Sequence, residues 1–439
     1  MLLDEIKKGD RIGFFGMGLS NLSLLKRILP LGCEIIVRSD APIDRSILEG
    51  MVKPENILEG NRSLEHIDED ILFLSPSVKR DRPQLAKAKE QGVKISSDYE
   101  IFFESVKKPV IAITGSDGKS TTSHLTNLIL SRAGYRSETV GNMGRPMTDL
   151  LYKETDFYVA ELSSFMLSCG APKVHRAALT NLTPNHLDWH KDYEEYKKTK
   201  INLLKSSEKY VISEENAEIP SAFAITSQRR LEEIKSIYKA EIYFTCEDGF
   251  ILRNGEKIIA LDNIKSKQNH NIKNLMMAIA LTDGYADNEA IVSVANSFCG
   301  LDHRCQIICN RGGVEYIDSS IDSTPSRTLA TLSALGREVV LILGGGSKGL
   351  NYSQLGRAIN DYARWVIICG ENAEEIYSSL PDKSRAEIFT EFHSAIMRGP
   401  TLDKDVGTLL LSPASTSFDR FKSYAERGDK FKEIILNNT

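Results

Sequence analysis

Short apolar runs alternate along the chain with segments whose apolar residues recur at helical spacing. Residues 11–15, 109–113 and 339–343 are runs of the kind that forms buried strands, and each leads into a glycine-containing turn. This alternation is typical of parallel α/β units. The pattern restarts near residues 96–109 and again near residue 300. We therefore predict three α/β domains: a Rossmann-like domain over 1–96, a central phosphate-loop ATPase-like domain over 97–299 and a Rossmann-like domain over 300–439.

The strand predicted at 109–113 leads into Thr114-Gly115-Ser116-Asp117-Gly118-Lys119-Ser120-Thr121, and a helical pattern follows. Glycine lets backbone N–H groups approach a phosphate closely, and a helix N-terminus adds positive potential at the same point. Lys119 can reach the β- and γ-phosphates, and the hydroxyl of Ser120 or Thr121 can ligate Mg²⁺. The alternative is a plain strand-to-helix turn with a surface lysine, since Ile113 stands where the general phosphate-loop pattern has its first glycine. We predict a nucleoside triphosphate site here.

An acidic residue ends the next predicted strand of this domain. Glu161 closes the strand-like run 156–161. A carboxylate at the end of a strand beside a phosphate loop can hold Mg²⁺, and a solvated glutamate is the alternative. Because a phosphate loop precedes it, we favour the magnesium role.

Potential metal ligands follow the strand predicted at 175–180. His186, Asp188 and His190 lie within five residues of one another, which allows a metallohydrolase interpretation. No second cluster of His and Asp follows to complete a catalytic zinc site. The other interpretation places His186 beside the nucleotide, where it ligates a second Mg²⁺ or orients a substrate, and lets His190 cap or pack the following helix.

The rest of the central region gives weaker signals. The helix predicted over 192–204 is rich in lysine, and the pattern alone treats these lysines as a solvated face. Residues 208–265 contain hairpin signals at Asp248-Gly249 and Asn254-Gly255 and read as an antiparallel appendage. In the helix that opens near residue 268, Asn271 and Asn274 lie one turn apart. They suit bonds to a base, although capping is the more common role.

Glycine loops also occur in the two flanking domains. Gly16 and Gly18 match the first two glycines of a dinucleotide-binding fingerprint, but Asn21 occupies the third position. An NAD(P) site is one interpretation, and a diphosphate of another nucleotide on a helix N-terminus is another. In the third domain, the loop over 344–349 either binds an anion or forms a tight turn. The loop over 412–419 follows the last strand and opens a helix, a further N-terminus that suits an anion.

Composition and charge argue against several classes of protein. The 439 residues carry a net charge of −5, which argues against sequence-independent nucleic-acid binding, because that needs a basic face. No run is long enough to span a bilayer, and residues 1–5 lack a signal-peptide pattern. Seven cysteines without a Cys-x-x-Cys pair indicate neither a disulfide framework nor a structural zinc. We expect a cytoplasmic protein.

Over its whole length the chain resembles the Mur ligase family. The resemblance rests on the form and order of its motifs, which are Gly16–Ser20, Thr114–Thr121, Gly141–Gly144, Glu161–Phe165, Asn181–Asp188, Asn271 with Asn274, Gly300–Arg304, Lys348, and Leu411–Ala414 with Asp419 and Phe421. Three places depart from the family pattern. Ser319-Ser320-Ile321 stands where the family often has Asp-Ser-Lys, and Ser75-Pro76-Ser77 stands where it has Ser-Pro-Gly. The acidic residue that follows the second strand is shifted along the chain, in the sequence Arg38-Ser39-Asp40.

The resemblance implies an ATP-dependent amide ligase that works with Mg²⁺, with two ions expected. Among the members of the family, the motifs resemble those of enzymes that join D-glutamate to UDP-N-acetylmuramoyl-L-alanine through an acyl phosphate in peptidoglycan synthesis. These two small molecules are then the partners, without nucleic acid or membrane, and we expect a monomer. A folylpolyglutamate synthetase or another amide ligase of the superfamily is the nearest alternative. A phosphate-loop kinase or a regulatory ATPase is a more distant one.

The resemblance also implies roles for single residues, and Lys200 stands where the family carries a carbamylated lysine. The residues expected to act in catalysis are Lys119, His186, Lys200 and Asn142. Those expected at ATP are Gly115, Ser116, Asp117, Gly118, Lys119, Ser120, Thr121, Asn271, Arg304 and Asp318. Those expected at the metal are Ser120, Glu161, His186 and Lys200. Those expected at the other substrates are Leu19, Ser20, Ser39, Asp40, Ser75, Asn142, Ser163, His186, Lys348, Ser417 and Tyr424.

Overall fold

The computed structural model describes residues 3–142, 146–186, 189–213, 223–226, 242–346, 351–402 and 407–437. The chain divides into two compact units, Met1–Phe298 and Cys299–Thr439. In the described residues the first unit contains two β-sheets and the second contains one, with helices between the strands. The predicted α/β class with three sheet-based domains is confirmed. The boundaries after residues 96 and 299 stay predictions.

The first sheet is parallel throughout and has the strand order β3-β2-β1-β4-β5. Its described strands are β1 (Arg11–Phe15), β2 (Glu34–Ser39), β3 (Ile57–Glu59), β4 (Ile71–Leu74) and β5 (Lys94–Ser96). Ile12 and Phe14 of β1 enter an apolar core on one face, while Phe15 enters a second core on the other. Both faces are buried, which explains why these strands read as continuous apolar runs.

The second sheet carries the predicted phosphate loop. Its described strands are β6 (Val110–Thr114), β7 (Ser137–Gly141), β8 (Phe157–Glu161), β9 (Val174–Leu179), β10 (Ser207–Ser213), β11 (Phe223–Thr226), β12 (Ile242–Glu247), β13 (Phe250–Arg253) and β14 (Glu256–Ala260). They are ordered β14-β13-β12-β11-β10-β9-β6-β8-β7. β6 pairs in parallel with β8 on one side and with β9 on the other. The residues that follow β8 and β9 therefore flank the turn that follows β6.

The prediction of an antiparallel appendage over 208–265 is wrong for its first three described strands. β10, β11 and β12 continue the sheet in parallel, and only β13 and β14 run antiparallel. The hairpin signals themselves are confirmed. Asp248 and Gly249 both have positive φ, as do Asn254 and Gly255, which is the backbone of a type I′ turn. Local turn chemistry identified the hairpins, but the pairing of distant strands has no local signal.

The third sheet lies in the second unit. Its described strands are β15 (Gln306–Arg311), β16 (Val314–Asp318), β17 (Val339–Leu343), β18 (Ala363–Cys369), β19 (Ala386–Phe389) and β20 (Thr408–Leu411). The order is β15-β16-β20-β17-β18-β19, and all pairs except β15 with β16 are parallel. Alternate residues of β17 enter apolar cores on opposite faces. The ends of β16, β20 and β17 consequently meet at one edge.

The described helices connect these strands. They are α1 (Leu19–Ile28), α2 (Pro83–Glu90), α3 (Asp98–Ser105), α4 (Lys119–Arg132), α5 (Ser164–Leu167), α6 (Tyr193–Lys205), α7 (Asn269–Leu281), α8 (Asn288–Ser297), α9 (Pro325–Leu335), α10 (Ser353–Tyr362), α11 (Ala373–Ser379), α12 (Phe392–Leu402) and α13 (Tyr424–Asn437). A search of the described residues found no helix with the length and apolar character that a membrane span requires.

A buried ion pair lies beneath the first sheet. Arg38 of β2 contacts Glu69 with 2.6 Å between Nε and Oε1, and neither side chain is exposed by more than 1%. The guanidinium also donates to the carbonyls of Ser63, Glu65 and His66. Arg38 is therefore a structural residue, and the acidic residue of this motif follows two positions later, at Asp40.

We expect Arg38→Met to lower the free energy of unfolding by about 3–5 kcal/mol, because it leaves the buried carboxylate of Glu69 without its cation. Urea unfolding followed by circular dichroism measures the change. The double variant Arg38→Met/Glu69→Leu is the control and should recover more than half of the loss. If the double variant is no more stable than the single one, the charge pair is not the cause.

Candidate active site

Two glycines shape the turn between β6 and α4. Gly115 has a φ of +143°, and a Cβ there would collide with the hydroxyl of Thr180. Gly118 has a φ of +77°, and its Cβ would collide with the side-chain oxygen of Asn274. Both positions therefore need glycine for conformation and for space. Lys119 begins α4 directly afterwards, so the predicted strand, turn and helix N-terminus are all present.

The segment after β9 fixes the loop from one side. The side-chain oxygen of Asn181 accepts hydrogen bonds from the N–H groups of Ser116 (3.1 Å) and Asp117 (2.8 Å). The Ser116 hydroxyl donates to the carbonyl of Thr183 at 3.0 Å and lies 2.9 Å from the hydroxyl of Tyr196. Lys119 lies across the loop and donates from Nζ to the carbonyls of Gly115 and Ser116. Its amine is thus placed at the loop where a phosphate would bind.

Glu161 ends β8 on the other side of the loop, and it is only 2% exposed. One of its carboxylate oxygens accepts a hydrogen bond from Nδ2 of Asn142 at 3.0 Å. The other, Oε2, is buried with no hydrogen-bond partner in the described structure. A buried carboxylate oxygen without a donor is costly unless a cation or a further donor meets it. This oxygen therefore fits a divalent cation, and the magnesium interpretation of Glu161 has a physical basis.

Lys200 is buried at the base of the loop with 1% of its surface exposed. Its Nζ donates to the carbonyl of Gly115 (2.9 Å) and to the hydroxyl of Thr114 (3.2 Å), and it lies 4.8 Å from the ring centre of Tyr196. Burial and the positive charge of Lys119 lower the pKa of Lys200 to about 7. The interpretation of all the α6 lysines as a solvated face is wrong for this residue.

The sequence did contain a signal for the burial of Lys200. The buried residues of α6 are Tyr196, Lys200, Leu203 and Leu204. Lys200 follows Tyr196 by four residues and precedes Leu203 and Leu204 by three and four, so it occupies an apolar stripe at helical spacing. A lysine in such a stripe differs from the surrounding lysines, which are more exposed.

The histidines after β9 lie among aromatic rings. His186 has a φ of +54°, and its ring centre lies 4.8 Å from that of Phe165. His190 is 3% exposed and packs against Trp189 and Tyr196, with neither ring nitrogen hydrogen-bonded in the described structure. Burial lowers the pKa of His190. The packing interpretation of His190 is confirmed. The metallohydrolase alternative includes Asp188, which lies outside the described residues. Among the described residues no group of three His, Cys, Asp or Glu side chains could hold a metal.

The two asparagines of α7 have different surroundings. Asn274 is buried beneath the phosphate loop, where its side-chain oxygen accepts from the hydroxyl of Thr122 at 3.3 Å. Asn271 donates to Ser266 and Gln268, the latter being the residue before the helix. The N-cap position is Gln268, so neither asparagine caps α7 and that favoured role is wrong. Asn271 stays a predicted contact for the base.

Asn21 explains why the first glycine loop departs from the dinucleotide fingerprint. It is 1% exposed, and its amide donates to the carbonyls of Phe15, Gly16 and Phe73. The side chain thus ties the end of β1 to the loop and to β4, where a glycine could make no such bonds. The loop keeps its helix N-terminus at Leu19, which suits a diphosphate.

The residues predicted to hold the nucleotide end of the substrate lie around this loop. Ser75 lies against Gly16, since a Cβ on that glycine would come within 2.9 Å of the serine Cβ. Asp40, just after β2, forms a two-pronged ion pair with Arg82 at 2.9 and 2.6 Å. Arg82 holds the pKa of Asp40 below its usual range. Leu19 and Ser20 open α1, and Ser39 ends β2. These five residues are together at the carboxyl edge of the first sheet.

In the second unit, the described part of the glycine loop after β17 is bonded to other segments of the chain. The N–H groups of Gly344, Gly345 and Gly346 donate to Pro413, Asn372 and Thr416. These three N–H groups are thus occupied by the protein and do not offer donors to an anion. Lys348 and Gly349 lie outside the described residues. The helix predicted to open near Asp419 begins at Tyr424 instead.

Buried charged side chains lie near the carboxyl ends of the strands of the third sheet. Nδ1 of His303 lies 2.7 Å from Oδ2 of Asp318, which is fully buried. Arg427 donates to the carbonyls of Ser415, Thr416 and Ser320, and burial lowers its pKa to about 10. These bonds hold the loop that contains Ser417, which is itself 3% exposed. Tyr424 and Arg304 are exposed near this edge.

Comparisons with known proteins agree with this geometry. The family model of the Mur ligase middle domain matches residues 113–282. A protein of Clostridium novyi named UDP-N-acetylmuramoylalanine--D-glutamate ligase is 33% identical, over 98% of this chain and 97% of its own length. One of the same name from Ruminiclostridium cellulolyticum is 32% identical over 99% of both chains. The crystal structure of UDP-N-acetylmuramate-alanine ligase from Thermotoga maritima superposes with a TM-score of 0.56 at 18% identity, over 98% of this chain and all of that one.

A phosphate loop on the second of three α/β sheets along the chain, with a carboxylate and a buried lysine beside it, is typical of a nucleotide-dependent enzyme. Similarity above 30% identity over nearly the full length then decides the class: the chain belongs to the Mur ligase family. Its full-length relatives carry the name of the D-glutamate ligases of that family. The resemblance predicted from the motifs is confirmed, and with it the ligase class.

The lowered pKa of Lys200 predicts a pH-dependent contribution to stability. Above pH 7 the folded protein loses the Lys200 proton, while the unfolded chain keeps it up to the ordinary pKa of 10.5. The unfolded state then binds more protons, so stability relative to Lys200→Met should rise with pH, by at most about 1.4 kcal/mol per unit. Urea unfolding of both proteins between pH 6 and 9 in CO₂-free buffer measures this. Parallel stability curves for the two proteins would contradict the lowered pKa.

Proposed function

We propose that this chain joins D-glutamate to UDP-N-acetylmuramoyl-L-alanine at the expense of ATP, as a step of peptidoglycan precursor synthesis in the cytoplasm. The observation that carries the proposal is the composition of one sheet edge, where Lys119, the unpartnered oxygen of Glu161 and buried Lys200 surround the phosphate loop. The choice of D-glutamate and of the UDP-linked acceptor follows the printed names of the full-length relatives.

The reaction has two chemical steps in this proposal. The alanyl carboxylate attacks the γ-phosphorus of ATP, so that ADP leaves and an acyl phosphate forms. The amine of D-glutamate then attacks the acyl carbon, and inorganic phosphate leaves as the amide forms. Both steps need charge neutralisation and alignment more than acid–base chemistry. The protein groups are suited to these two tasks.

Lys119 and the loop amides neutralise the transferred phosphoryl group. The loop presents its N–H groups at the N-terminus of α4, and the helix dipole adds to the charge of the lysine. Asn142 is held by Glu161 on the neighbouring strand, and this position suits a contact with the acyl phosphate. His186 lies on the other side of the loop, after β9, where it orients the substrate carboxylate.

Magnesium fits the residues at this edge. Ser120 lies in the first turn of α4 and is largely buried, and the second oxygen of Glu161 has no donor in the described structure. Ser120, Glu161, His186 and Lys200 would hold one or two ions between them. Bound Mg²⁺ supplies positive charge to the phosphate oxygens.

Lys200 suits this set as a carbamate, because a protonated amine repels a metal ion and Mg²⁺ prefers the oxygen ligands of a carbamate to the nitrogen of a neutral amine. Carbamate formation needs the neutral amine, and at a pKa of about 7 roughly half of the Lys200 amines are neutral at pH 7. An ordinary lysine is neutral roughly once in three thousand molecules at that pH. The product would be an anion buried near Glu161, and two buried anions call for a cation between them.

The other two substrates have predicted sites on the flanking sheets. Leu19, Ser20, Ser39, Asp40 and Ser75 remain the proposed contacts of the uridine diphosphate. Ser163 caps α5 with its hydroxyl, close to Glu161 in sequence, and remains a proposed substrate contact. Lys348, Ser417 and Tyr424 remain the proposed contacts of D-glutamate, with a cation and hydroxyls for its carboxylates. We propose that the chain acts as a monomer.

We expect phosphate release from ATP only when UDP-N-acetylmuramoyl-L-alanine and D-glutamate are both present, because the carboxylate of the first accepts the phosphoryl group and the amine of the second displaces it as phosphate. A coupled phosphate assay with a panel of amino acids measures this. D-glutamate should exceed L-glutamate, L-alanine and the diamino acids by at least about 10²-fold in kcat/KM, the usual scale when a site pairs its polar groups with one substrate.

The panel also distinguishes the alternatives. Equal phosphate release without either substrate would indicate a regulatory ATPase. Activity with a pteroate acceptor and L-glutamate would indicate a folylpolyglutamate synthetase. Either result would overturn the proposed substrates while leaving the nucleotide site in place.

We expect Lys200→Ala to lower kcat by at least about 10²-fold, because it removes the proposed anionic ligand from the phosphate site. A small carboxylic acid such as acetate or propionate should restore part of the activity by occupying the space of the carbamate. The matched control is Lys198→Ala, on the same helix with an exposed side chain, which should keep the activity of the unmodified protein and show no response to acetate. Absence of rescue over a range of acids would leave the carbamate without support.

A further inference from the structure

An ion pair crosses the end of β1 at the carboxyl edge of the first sheet. Asp40 follows β2, on one side of β1, and Arg82 ends the segment after β4, on the other side. Two hydrogen bonds join the guanidinium to the two carboxylate oxygens, at 2.9 and 2.6 Å. The guanidinium carbon lies 5.1 Å from the ring centre of Phe15, the last residue of β1. The pair thus lies where β1 passes into the glycine loop that begins at Gly16.

The segment that carries Arg82 packs directly against this loop. A Cβ on Gly16 would come within 2.9 Å of the Cβ of Ser75 and within 3.4 Å of Cγ2 of Val78. The N–H of Val78 donates to the carbonyl of Ser75 at 2.9 Å, which closes the turn after β4. The strand order reverses between β1 and β4, and a nucleotide binds a parallel sheet outside the strand ends at such a point. Arg82 therefore belongs to the part of the fold that would bind the proposed uridine diphosphate.

The contacts predicted for the uridine diphosphate include no positive charge. They are three serines, a leucine and the anionic Asp40, whereas the diphosphate is itself an anion. Arg38 is the basic residue nearest to Asp40 in the sequence, but it is buried and paired with Glu69. Arg82 can supply the cation, because it neutralises Asp40. The guanidinium has further N–H donors, which the two bonds to Asp40 leave for a phosphate.

The stability of α2 does not explain an arginine at position 82. Arg82 is the N-cap residue of α2, and its side chain makes no capping hydrogen bond. Helix N-termini favour residues such as serine and aspartate, and a cation there faces the positive end of the helix dipole. The ion pair is also well exposed, with 26% of the Arg82 side chain and 50% of the Asp40 side chain accessible. Because such pairs add little to the stability of a fold, the position favours a role in binding.

We propose that Arg82 is a further binding residue of the nucleotide site, and that its guanidinium contacts the diphosphate of UDP-N-acetylmuramoyl-L-alanine. The proposal rests on the proposed function, because it assigns a cation to the acceptor site of that reaction. Asp40 holds the guanidinium in place across the end of β1. Its Oδ2, which bonds only to Arg82 in the described structure, keeps a lone pair for the uridine. The planar guanidinium can meet two phosphate oxygens at once, a geometry that lysine lacks.

Arg82→Gln tests the proposal, because it removes the charge and keeps a polar side chain. Ligand-detected NMR measures the Kd of UDP and the Kd of uridine, with ADP and Mg²⁺ at saturation so that UDP does not enter the phosphate loop. The Kd of UDP should rise by at least about tenfold, the scale of one lost hydrogen bond between charged groups. The Kd of uridine should change by less than about threefold, because uridine carries no phosphate.

The matched control is Arg11→Gln, at the other end of the same strand. Arg11 begins β1 and pairs with Glu34 (3.2 Å) and Asp68 (2.8 Å), and its side chain is 37% exposed. This variant removes a comparable ion pair far from the glycine loop, so both Kd values should stay unchanged. Turnover gives a second readout. Arg82→Gln should raise the KM for UDP-N-acetylmuramoyl-L-alanine by a factor similar to that for UDP, and should change the KM values for ATP and D-glutamate by less than about twofold.

The outcomes separate the possible roles. An unchanged Kd of UDP in Arg82→Gln would overturn the proposal and leave Arg82 as half of a surface ion pair. An equal rise for UDP and uridine would also overturn it, because Arg82 would then act on the uridine through Asp40. If the unmodified protein binds neither UDP nor UDP-N-acetylmuramoyl-L-alanine, the proposed function fails, and this contact fails with it.

Should Arg82→Gln not fold, Arg82→Lys decides. Lysine keeps the charge but cannot form the two-pronged contacts of a guanidinium with Asp40 and with phosphate oxygens. The Kd of UDP should then rise by at least about threefold, while the Kd of uridine stays the same. An unchanged Kd of UDP in Arg82→Lys would overturn the proposal.

Discussion

The place of β6 between β8 and β9 is the constraint on which the site depends. Parallel strands bring their carboxyl ends to one edge of the sheet. The phosphate loop after β6, Glu161 at the end of β8 and Asn181 after β9 are therefore neighbours, although about 65 residues separate the loop from Asn181 in the sequence. Gly115 lets the loop pass under Thr180, and Gly118 lets it pass over Asn274. A bulkier residue at either position would displace the loop from the strand ends that complete it.

Burial determines what this edge can bind. Lys200 loses most of the preference for its charged form, while Glu161 keeps an oxygen for which the described structure offers no donor. Glu161 accepts a hydrogen bond from Asn142, and Lys200 donates one to the carbonyl of Gly115, so both groups are held in place. A phosphate chain that binds together with a divalent cation would suit this edge, because the cation can contact the free oxygen of Glu161. The same site offers little to an apolar ligand, because most of its inward-facing groups are hydrogen-bond donors or charges.

The sequence predicted those parts of the fold that depend on local chemistry. The strands before the three glycine loops, the helix after Gly118 and both type I′ hairpins were predictable, because turn residues and apolar periodicity act over a few positions. The parallel course of β10 and β11 was not, since strand order depends on partners far along the chain. For the same reason the pattern could show neither that Asn274 lies beneath Gly118 nor that Arg82 reaches Asp40. Lys200 was predictable in principle, because it stands in the apolar stripe of α6, but the neighbouring lysines obscured that signal.

A lysine at position 200 avoids the charge repulsion that a second buried carboxylate would cause beside Glu161. With glutamate there, two carboxylates would lie buried at one edge of the sheet, and in the absence of a metal their repulsion would raise the pKa of one of them or open the site. A neutral amine avoids this cost, because it can donate to Gly115 and Thr114 without a counterion. In the proposed carbamate form the negative charge arises only when carbon dioxide has added, and a cation beside Glu161 favours that addition. Metal binding and the carbamate would then stabilise each other. The neutral amine would avoid charge repulsion while the chain folds, and the carbamate would supply the negative charge that holds magnesium.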